Sequence, residues 1–445
     1  REEMLRKHIG LSIMSGKGCH AKGTRILMHD GSIKNVEDIL PGDCLTDDNG
    51  EPTKVTTLAR GREKFYRLKF AWGDYYDVNE NHILSLRCVG NHHKQHKKGT
   101  LVDVTVKEYL TWPKRVQNLY PMYKTGVTHW ETGKPHEIPP YILGVWLGDG
   151  DSNRTQFSCT DPEILEELRE YAGSLGMQLT SSSYKDHRIS RIPDTFPISN
   201  LLKQKLEKLN LIRNKHIPHQ YLIASEKDRL ELLAGLLDTD GWVDKRKQGA
   251  QYGFIQKRKE LAGQTLFLAR SLGFHCTMRE VTKKWKHNGE SKSGIYYRLN
   301  ISQGDVSKIP IRVKRKQVNQ TNAKELNFMF TVEPLPEQEF YGFSLSGGTQ
   351  RFLGADFTVL HNTGKDAFMA WCILWFLSCF RNSKIPLTGP SRNQMKDVLM
   401  AEIAKWANRL DDNGEPCFVF RDDVVIQAEK IYMKDPESPN AEGKS

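Results

Sequence analysis

Apolar and polar positions alternate with a period of two along much of the first hundred residues. Thr24-Arg25-Ile26-Leu27-Met28, Phe65-Tyr66-Arg67-Leu68-Lys69-Phe70 and Ile83-Leu84-Ser85-Leu86 each follow this pattern, as half-buried strands do. Turn formers separate them, as in His29-Asp30-Gly31 and Leu40-Pro41-Gly42-Asp43. The pattern predicts a strand-rich unit from Cys19 to about Val116 and a second strand-rich piece over residues 339–362. Between them, from Pro139-Pro140 to about residue 320, the periodicity is mixed α/β. Beyond Thr363 it predicts an apolar helix over residues 367–380, a short strand over 384–387 and a helix over 393–410. The 367–380 run is too short to cross a bilayer and reads as a buried helix.

The middle region repeats itself. Tyr141-Ile142-Leu143-Gly144-Val145-Trp146-Leu147-Gly148-Asp149-Gly150 resembles Leu232-Leu233-Ala234-Gly235-Leu236-Leu237-Asp238-Thr239-Asp240-Gly241. Downstream, Phe157, Glu163 and Leu175-Gly176 recur as Phe254, Glu260 and Leu272-Gly273. The offset grows from 91 to 97 residues, which places a short insertion at Lys245-Arg246-Lys247 in the second copy. Two copies of one unit predict a pseudo-two-fold domain. Each copy is an apolar helix studded with small residues, which let two helix backbones approach closely. Each ends in an acid followed by glycine, a helix C-terminus signal. Pairing the helices would bring Asp149 and Asp240 together, and adjacent carboxylates repel unless a cation lies between them.

Length and charge sharpen this picture. A chain of 445 residues predicts two to four domains, and 38% hydrophobic with 27% charged residues is a soluble globular composition. The net charge is +11, and residues 245–316 carry 18 Lys/Arg against 4 Asp/Glu. That one region therefore holds the basic signature, with nucleic acid as the expected partner; on charge alone a solvated basic face fits as well. The eight cysteines form no C-x-x-C pair, so neither a zinc site nor a disulfide framework is indicated, and a reducing cytoplasm fits. No signal peptide opens the chain.

The second copy, Leu233-Ala234-Gly235-Leu236-Leu237-Asp238-Thr239-Asp240-Gly241, resembles the signature of LAGLIDADG homing endonucleases. The resemblance implies that Asp149 and Asp240 bind Mg²⁺ at a centre that cleaves double-stranded DNA, each half presenting a β-sheet saddle to the major groove. Lys215, in Lys215-His216-Ile217-Pro218, resembles the family's lysine block and would stabilise phosphate charge. Lys308, in Lys308-Ile309-Pro310, is its expected counterpart in the second copy.

Cys19 opens a segment that closes with His361-Asn362-Thr363, and residues 19–362 resemble class 1 inteins. The residue types suit each step the resemblance implies. The Cys19 thiolate attacks the Gly18 carbonyl in an N-to-S acyl shift. Thr363 takes the acyl group by transesterification, Asn362 cyclises to a succinimide, and His361 assists as a proton donor. His82, in Asn79-Glu80-Asn81-His82, matches the histidine that activates the N-terminal scissile bond. Asn79 stands where the family often has Thr, and its amide is expected to donate the same hydrogen bond. Gly342 stands in a block where the family often has Asp or Cys, and Asp356 is the candidate to compensate.

Deleting residues 19–362 removes 344 residues and joins Gly18 to Thr363. The junction, Ser15-Gly16-Lys17-Gly18/Thr363-Gly364-Lys365-Asp366, resembles a P-loop that neither flank has alone. Backbone N–H groups around Gly16, Gly18 and Gly364 would cradle the phosphates of Mg-ATP, with Lys365 on the β/γ oxygens. Ser15 replaces the first glycine, and Asp366 replaces the usual Ser/Thr magnesium ligand. Trp371-Cys372-Ile373-Leu374-Trp375-Phe376-Leu377 and Thr388-Gly389-Pro390-Ser391-Arg392-Asn393-Gln394 resemble the large terminase subunit of tailed phages.

The expected organisation is multidomain. An all-β HINT (intein) splicing domain is formed by both ends of the insert, residues 19–116 and 323–362. An α/β pseudo-two-fold LAGLIDADG domain spans 117–322. Fragments of a P-loop α/β ATPase flank them at 1–18 and 363–445. The expected partner is the intein-free allele of the host gene as double-stranded DNA. The intein is expected to be monomeric, with no membrane association, in the cytoplasm of a phage-infected bacterium; the spliced host would meet the phage portal and small terminase subunit. Two other readings fit the same residues: a DNA-binding ATPase with a non-splicing insertion, and a splicing intein with an inactive endonuclease.

Overall fold

The computed structural model describes residues 19–361, except 91–95, 127, 129, 131–134, 194–198, 247–248, 288–289, 319–324 and 347–348. Beyond 361 it describes 373–379, 385, 400, 403–404, 407–408, 424–427 and 431–433.

Two separate hydrophobic cores organise the chain. The first is all-β and is assembled from both ends of the 19–361 span. Its spine is a long antiparallel ribbon between Pro52–Phe70 and Phe330–Leu345, in register from Phe70↔Phe330 to Val55↔Leu345. His20–Ala21 pairs with this second strand and with Tyr75–Asn79. A second sheet contains Ile83–Arg87, Leu101–Thr105, Met122–Tyr123 and Asn327–Phe328. Between the sheets lie Ile26, Val78, Leu86, Val104, Phe343 and Phe352. The Phe330–Leu345 strand starts nine residues before the predicted 339. Pro334, Pro336 and the glutamates around them hide its alternation, and the register slips between Leu335 and Glu337, which leaves Pro336 unpaired.

The second core belongs to an α/β unit built on the repeat. The Pro140–Asp149 and Glu226–Asp240 helices pack against each other. A Cβ added to Gly235 would lie 2.2 Å from the Tyr141 carbonyl oxygen, and one added to Gly144 would lie 2.4 Å from that of Leu232. Only glycine permits this approach. Each helix is followed by an antiparallel sheet and a second helix, Pro162–Ser174 or Lys259–Ser271. The first sheet has three strands and the second has four. The extra strand, Gly241–Arg246, includes Lys245 and Arg246 of the predicted basic insertion and pairs with Gly249–Gln256; Lys247 lies outside the described residues. In the first copy only the single bridge Gly150↔Phe157 remains of that pairing.

The two units touch through named contacts. Arg270, in the last turn of Lys259–Ser271, forms an ion pair with Asp74 at 3.2 Å. The His275 ring meets Trp72 and Phe328 of the all-β unit. Arg229 is buried at the start of the Glu226–Asp240 helix. It donates to Ser271 O at 2.9 Å and to Thr128 O, and it lies 4.9 Å over the Trp130 ring. Trp130 in turn donates to His29 O at 2.9 Å. No sequence signal marks Arg229, because it satisfies its charge on backbone carbonyls rather than on an acid.

Of the flanks, residues 373–379 are helical within the predicted 367–380 helix, and 403–404 and 407 within the predicted 393–410 helix. A small cluster of Ile373, Leu374, Met400, Ile403 and Ala407 is buried there. The pairing of Val424–Ile426 with Ile431–Met433 is not among the predicted elements. The P-loop residues Gly16, Gly18, Gly364 and Lys365, with Asn362 and Thr363, lie outside the described residues. Among the described residues, no helix is long and apolar enough to cross a membrane.

The helix contact makes a stability prediction. Gly235→Ala should lower the unfolding free energy of the α/β unit by about 2 kcal/mol or more, since the methyl meets backbone and not a movable side chain. Urea unfolding followed by tryptophan fluorescence measures this; an unchanged midpoint would contradict the close approach.

Candidate functional sites

Two groups of reactive side chains stand apart, one in each unit.

In the all-β unit, Cys19 is fully buried beside Ala21, Phe65 and Phe340. Its backbone N–H donates to Asn79 Oδ1 at 2.8 Å, and Asn79 N–H donates back to Cys19 O at 3.2 Å. The Asn79 amide is oriented by Glu63, whose Oε2 accepts from Nδ2 at 2.6 Å. A carboxylate only accepts, so Nδ2 must face Glu63 and Oδ1 must face Cys19. Asn79 therefore accepts a hydrogen bond from the Cys19 N–H, where the sequence led to the expectation of a donor. Glu63 escapes sequence reasoning, since a lone glutamate in an exposed charged run carries no signal.

His82 follows three residues after Asn79, with its N–H on Asn79 O at 3.1 Å. Its ring is buried and lies 4.6 Å edge-on from His20, which is also buried. Burial first, then the nearby His20 and His361, hold the His82 pKa well below its ordinary value. Burial lowers that of His20 to about 3. Both shifts favour the neutral ring. His361 ends the Val359–His361 strand and is buried, with Nε2 3.9 Å from Asp103 Oδ2. Thus Cys19, Asn79, His82 and His361 come together, and His20 joins them unpredicted.

Gly342 sits against the thiol. A Cβ there would lie 2.4 Å from Cys19 Sγ, so any side chain at 342 would displace the thiol from this position. Asp356 does not substitute for one. It is buried in an ion pair with Lys124 at 2.8 Å and accepts from Tyr76 OH, Thr358 N and Thr358 Oγ1. Those partners consume its acceptor sites and hold its pKa well below the carboxylate range against the cost of burial. Asp356 is a structural anchor, and the expectation that it compensates for Gly342 is corrected.

In the α/β unit, Asp149 and Asp240 end the two paired helices. Burial, then the charge of Asp240, raises the Asp149 pKa to about 6. Burial raises that of Asp240 also. Lys215 donates to Leu147 O at 3.1 Å, to Gly148 O at 3.2 Å and to Gly150 O. Burial lowers its pKa to about 8, opposed by Asp240 and Asp149. Lys316 repeats the arrangement on the second helix, donating to Leu237 O at 2.9 Å, Asp238 O at 2.6 Å and Thr239 O at 3.2 Å. Lys316, not the exposed Lys308, is thus the counterpart of Lys215. Lys308 misleads because its Lys-Ile-Pro context copies part of Lys215-His216-Ile217-Pro218; the fold places it in a short 3₁₀ turn instead.

Asp238, where the first copy has Leu147, accepts from Tyr141 OH at 2.9 Å, Arg312 N at 2.8 Å and Val313 N at 3.2 Å. It fixes the loop that delivers Lys316. The two carboxylates are hard oxygen donors of the kind a divalent cation takes. Among the described residues, no group of three or more His, Cys, Asp or Glu is placed to hold a metal.

With this geometry in view, the comparisons locate both units among known families. Residues 19–116 match the model of the Hom_end-associated Hint family. Residues 227–309 match that of the LAGLIDADG-like domain. The chain therefore carries both domains. Among curated proteins it is 31% identical to the replicative DNA helicase DnaB of Mycobacterium intracellulare, over 49% of this chain and 34% of that protein. It is 21% identical to the catalytic subunit of the V-type proton ATPase of Candida tropicalis, over 78% of this chain and 44% of the relative. It is 26% identical to the homothallic switching endonuclease of Saccharomyces cerevisiae, over 50% and 44%. The chain thus spans less than half the length of each of these relatives. Similar solved structures include the gp41-1 intein, at 15% identity, 25% and 70% coverage and a TM-score of 0.18. Mesophilic variants of the homing endonuclease I-DmoI match at 17% identity, 37% and 88% coverage and a TM-score of 0.25.

The raised Asp149 pKa gives a prediction with a definite sign. A carboxyl that binds its proton more tightly when folded stabilises below its unfolded value near 3.8. That contribution is lost as pH rises from there to about 6. At pH 7 without metal, Asp149→Asn should therefore stabilise the α/β unit, by about 1–3 kcal/mol, and should flatten its stability between pH 4 and 6. Urea midpoints across that range test it; a destabilised variant would count against the buried charge pair.

Proposed function

We propose that the chain is a protein-splicing precursor carrying its own DNA endonuclease. The observation that supports this most is the gathering of Cys19, Asn79, His82 and His361, whose end members lie more than 300 residues apart in sequence. Asn79 anchors the N–H of the Gly18–Cys19 bond and buried, neutral His82 acts on that bond. Cys19 then takes the acyl group from Gly18, and Thr363 takes it from Cys19. Cyclisation of Asn362, aided by His361, releases the insert and joins residues 1–18 to 363–445.

In the same reading, the LAGLIDADG-like unit cleaves double-stranded DNA at the intein-free version of the host gene. Asp149 and Asp240 would hold Mg²⁺, which supplies an activated water and stabilises the leaving oxygen. Lys215 and Lys316 counter phosphate charge from either side of the pseudo-two-fold axis. The basic stretch at residues 245–316 provides the polyanion attraction. The endonuclease named among the relatives and the paired carboxylates favour an active nuclease over a decayed one.

We assign the flanks to a P-loop ATPase, in which Gly16, Gly18, Gly364 and Lys365 form the Mg-ATP phosphate site after splicing. A helicase and a proton ATPase among the relatives favour an ATPase host. The finer assignment, a phage terminase large subunit, rests on Trp371–Leu377 and Thr388–Gln394.

Expression followed by intact-mass measurement tests splicing. Wild type should yield species of 344 and 101 residues. Cys19→Ala should lose ligation, and Asn362→Ala should retain the C-terminal junction. A wild type that stays full length under every condition, with no thioester captured by added thiol, eliminates the splicing reading. For the nuclease, Lys316→Met should slow cleavage of an intein-free host-gene duplex about as much as Lys215→Met, on the order of 100-fold. Equal rates in wild type and Lys316→Met would remove Lys316 from the site.

A further inference from the structure

Gly342 leaves the splicing centre without the carboxylate or thiol that the resemblance supplies at that block, and Asp356 is committed to Lys124. Another carboxylate does face the centre. Asp103, on the Leu101–Thr105 strand, has Oδ2 3.9 Å from His361 Nε2. It is held firmly in that pose. Ser85 Oγ donates to Oδ1 at 2.8 Å, and Arg351 Nη2 donates to Oδ2 at 2.7 Å. Arg351 is itself fixed by Ser85 and by Asp48. Arg351 and His361 are direct cross-strand partners, so the register of Arg351–Leu353 against Val359–His361 sets the triangle of Asp103, Arg351 and His361.

We propose that Asp103 is the positioning residue for His361, orienting its ring and supporting its protonated form for cleavage of the Asn362–Thr363 bond. The proposal rests on the splicing reading. In that step the Asn362 side-chain nitrogen attacks the Asn362 carbonyl carbon and a C–N bond forms. The bond to the Thr363 nitrogen breaks, and that nitrogen takes a proton from the His361 imidazolium. The carboxamide nitrogen loses one proton, which solvent returns to His361, so protons balance. The products are a C-terminal succinimide and a free α-amine. An imidazolium in a buried place needs a counter-charge, and a neighbouring carboxylate both provides it and selects the ring nitrogen it faces. Among the described residues, Asp103, Arg351 and His82 lie close to His361, and His20 packs against His82. Asp103 is the acid in this set, and the neutral histidines cannot charge together with His361.

The test uses the full chain with Cys19→Ala, which blocks the N-terminal chemistry and leaves C-terminal cleavage to be read alone by intact mass. Asp103→Asn keeps the size and an acceptor for Ser85 but removes the charge. At pH 7.5 the cleavage rate should fall about tenfold or more. The loss should shrink as pH drops towards 5, because acid restores the imidazolium without the carboxylate; the profile moves to lower pH. Asp103→Glu should recover part of the rate. Thiol capture of the Cys19 thioester in Asp103→Asn with Asn362→Ala should proceed as with native Asp103, which reports an intact fold. An unchanged rate at pH 7.5 overturns the proposal, as does a loss equal at every pH, which marks a structural role only. Absence of C-terminal cleavage in Cys19→Ala with native Asp103, together with a wild type that stays full length, overturns the splicing reading itself.

Discussion

Everything in the all-β unit depends on the pairing of Pro52–Phe70 with Phe330–Leu345. This ribbon is the only long contact that forces the beginning and end of the 19–361 span into one core among the described residues. His20–Ala21 docks on its edge, which fixes Cys19 beside Gly342. The same ribbon positions the short strands that end at His361. Closing so long a loop costs entropy that grows only slowly with its length, so the intervening unit can be large as long as its own ends lie close together. The pairing of Met122–Tyr123 with Asn327–Phe328 fastens that exit point, joining the segment that leaves the β core to the one that returns, and the buried Lys124–Asp356 pair ties the exit to the turn before Val359–His361.

The α/β unit relies on a different constraint, steric rather than topological. Gly144 and Gly235 let two helices meet backbone to backbone, and that contact brings Asp149 and Asp240 to one place. The symmetry is then broken where it is useful. Leu147 is simply buried in the core, while its partner Asp238 ties down the Arg312–Val313 loop. Both lysines reach the helix ends, but they arrive from loops of different construction, which is why the two copies do not share a lysine motif.

The legible parts of the sequence are those in which one residue type is compulsory. The repeat, the small residues of the paired helices and the terminal aspartates are all visible, because substitution there would be sterically or chemically excluded. So are Cys19, His82 and His361. Less legible are residues whose role depends on what the fold places opposite them. Glu63, Asp103, Arg229 and Lys316 are ordinary charged residues until tertiary structure supplies Asn79, His361, a set of carbonyls and a helix end. The orientation of Asn79 is likewise invisible, since an amide offers both a donor and an acceptor and only Glu63 decides between them. Asp356 misleads for the opposite reason: its position in sequence suggests chemistry, while its partners make it an anchor.

The complete burial of Cys19 has one more implication. An activated acyl sulfur is prone to attack by water, the competitor in greatest excess, and such attack would discard the N-terminal segment irreversibly. A sulfur lodged among Ala21, Phe65 and Phe340 is screened from bulk solvent. In the splicing reading proposed above, that burial would shelter the thioester until a nucleophile from the chain's own C-terminal junction arrives.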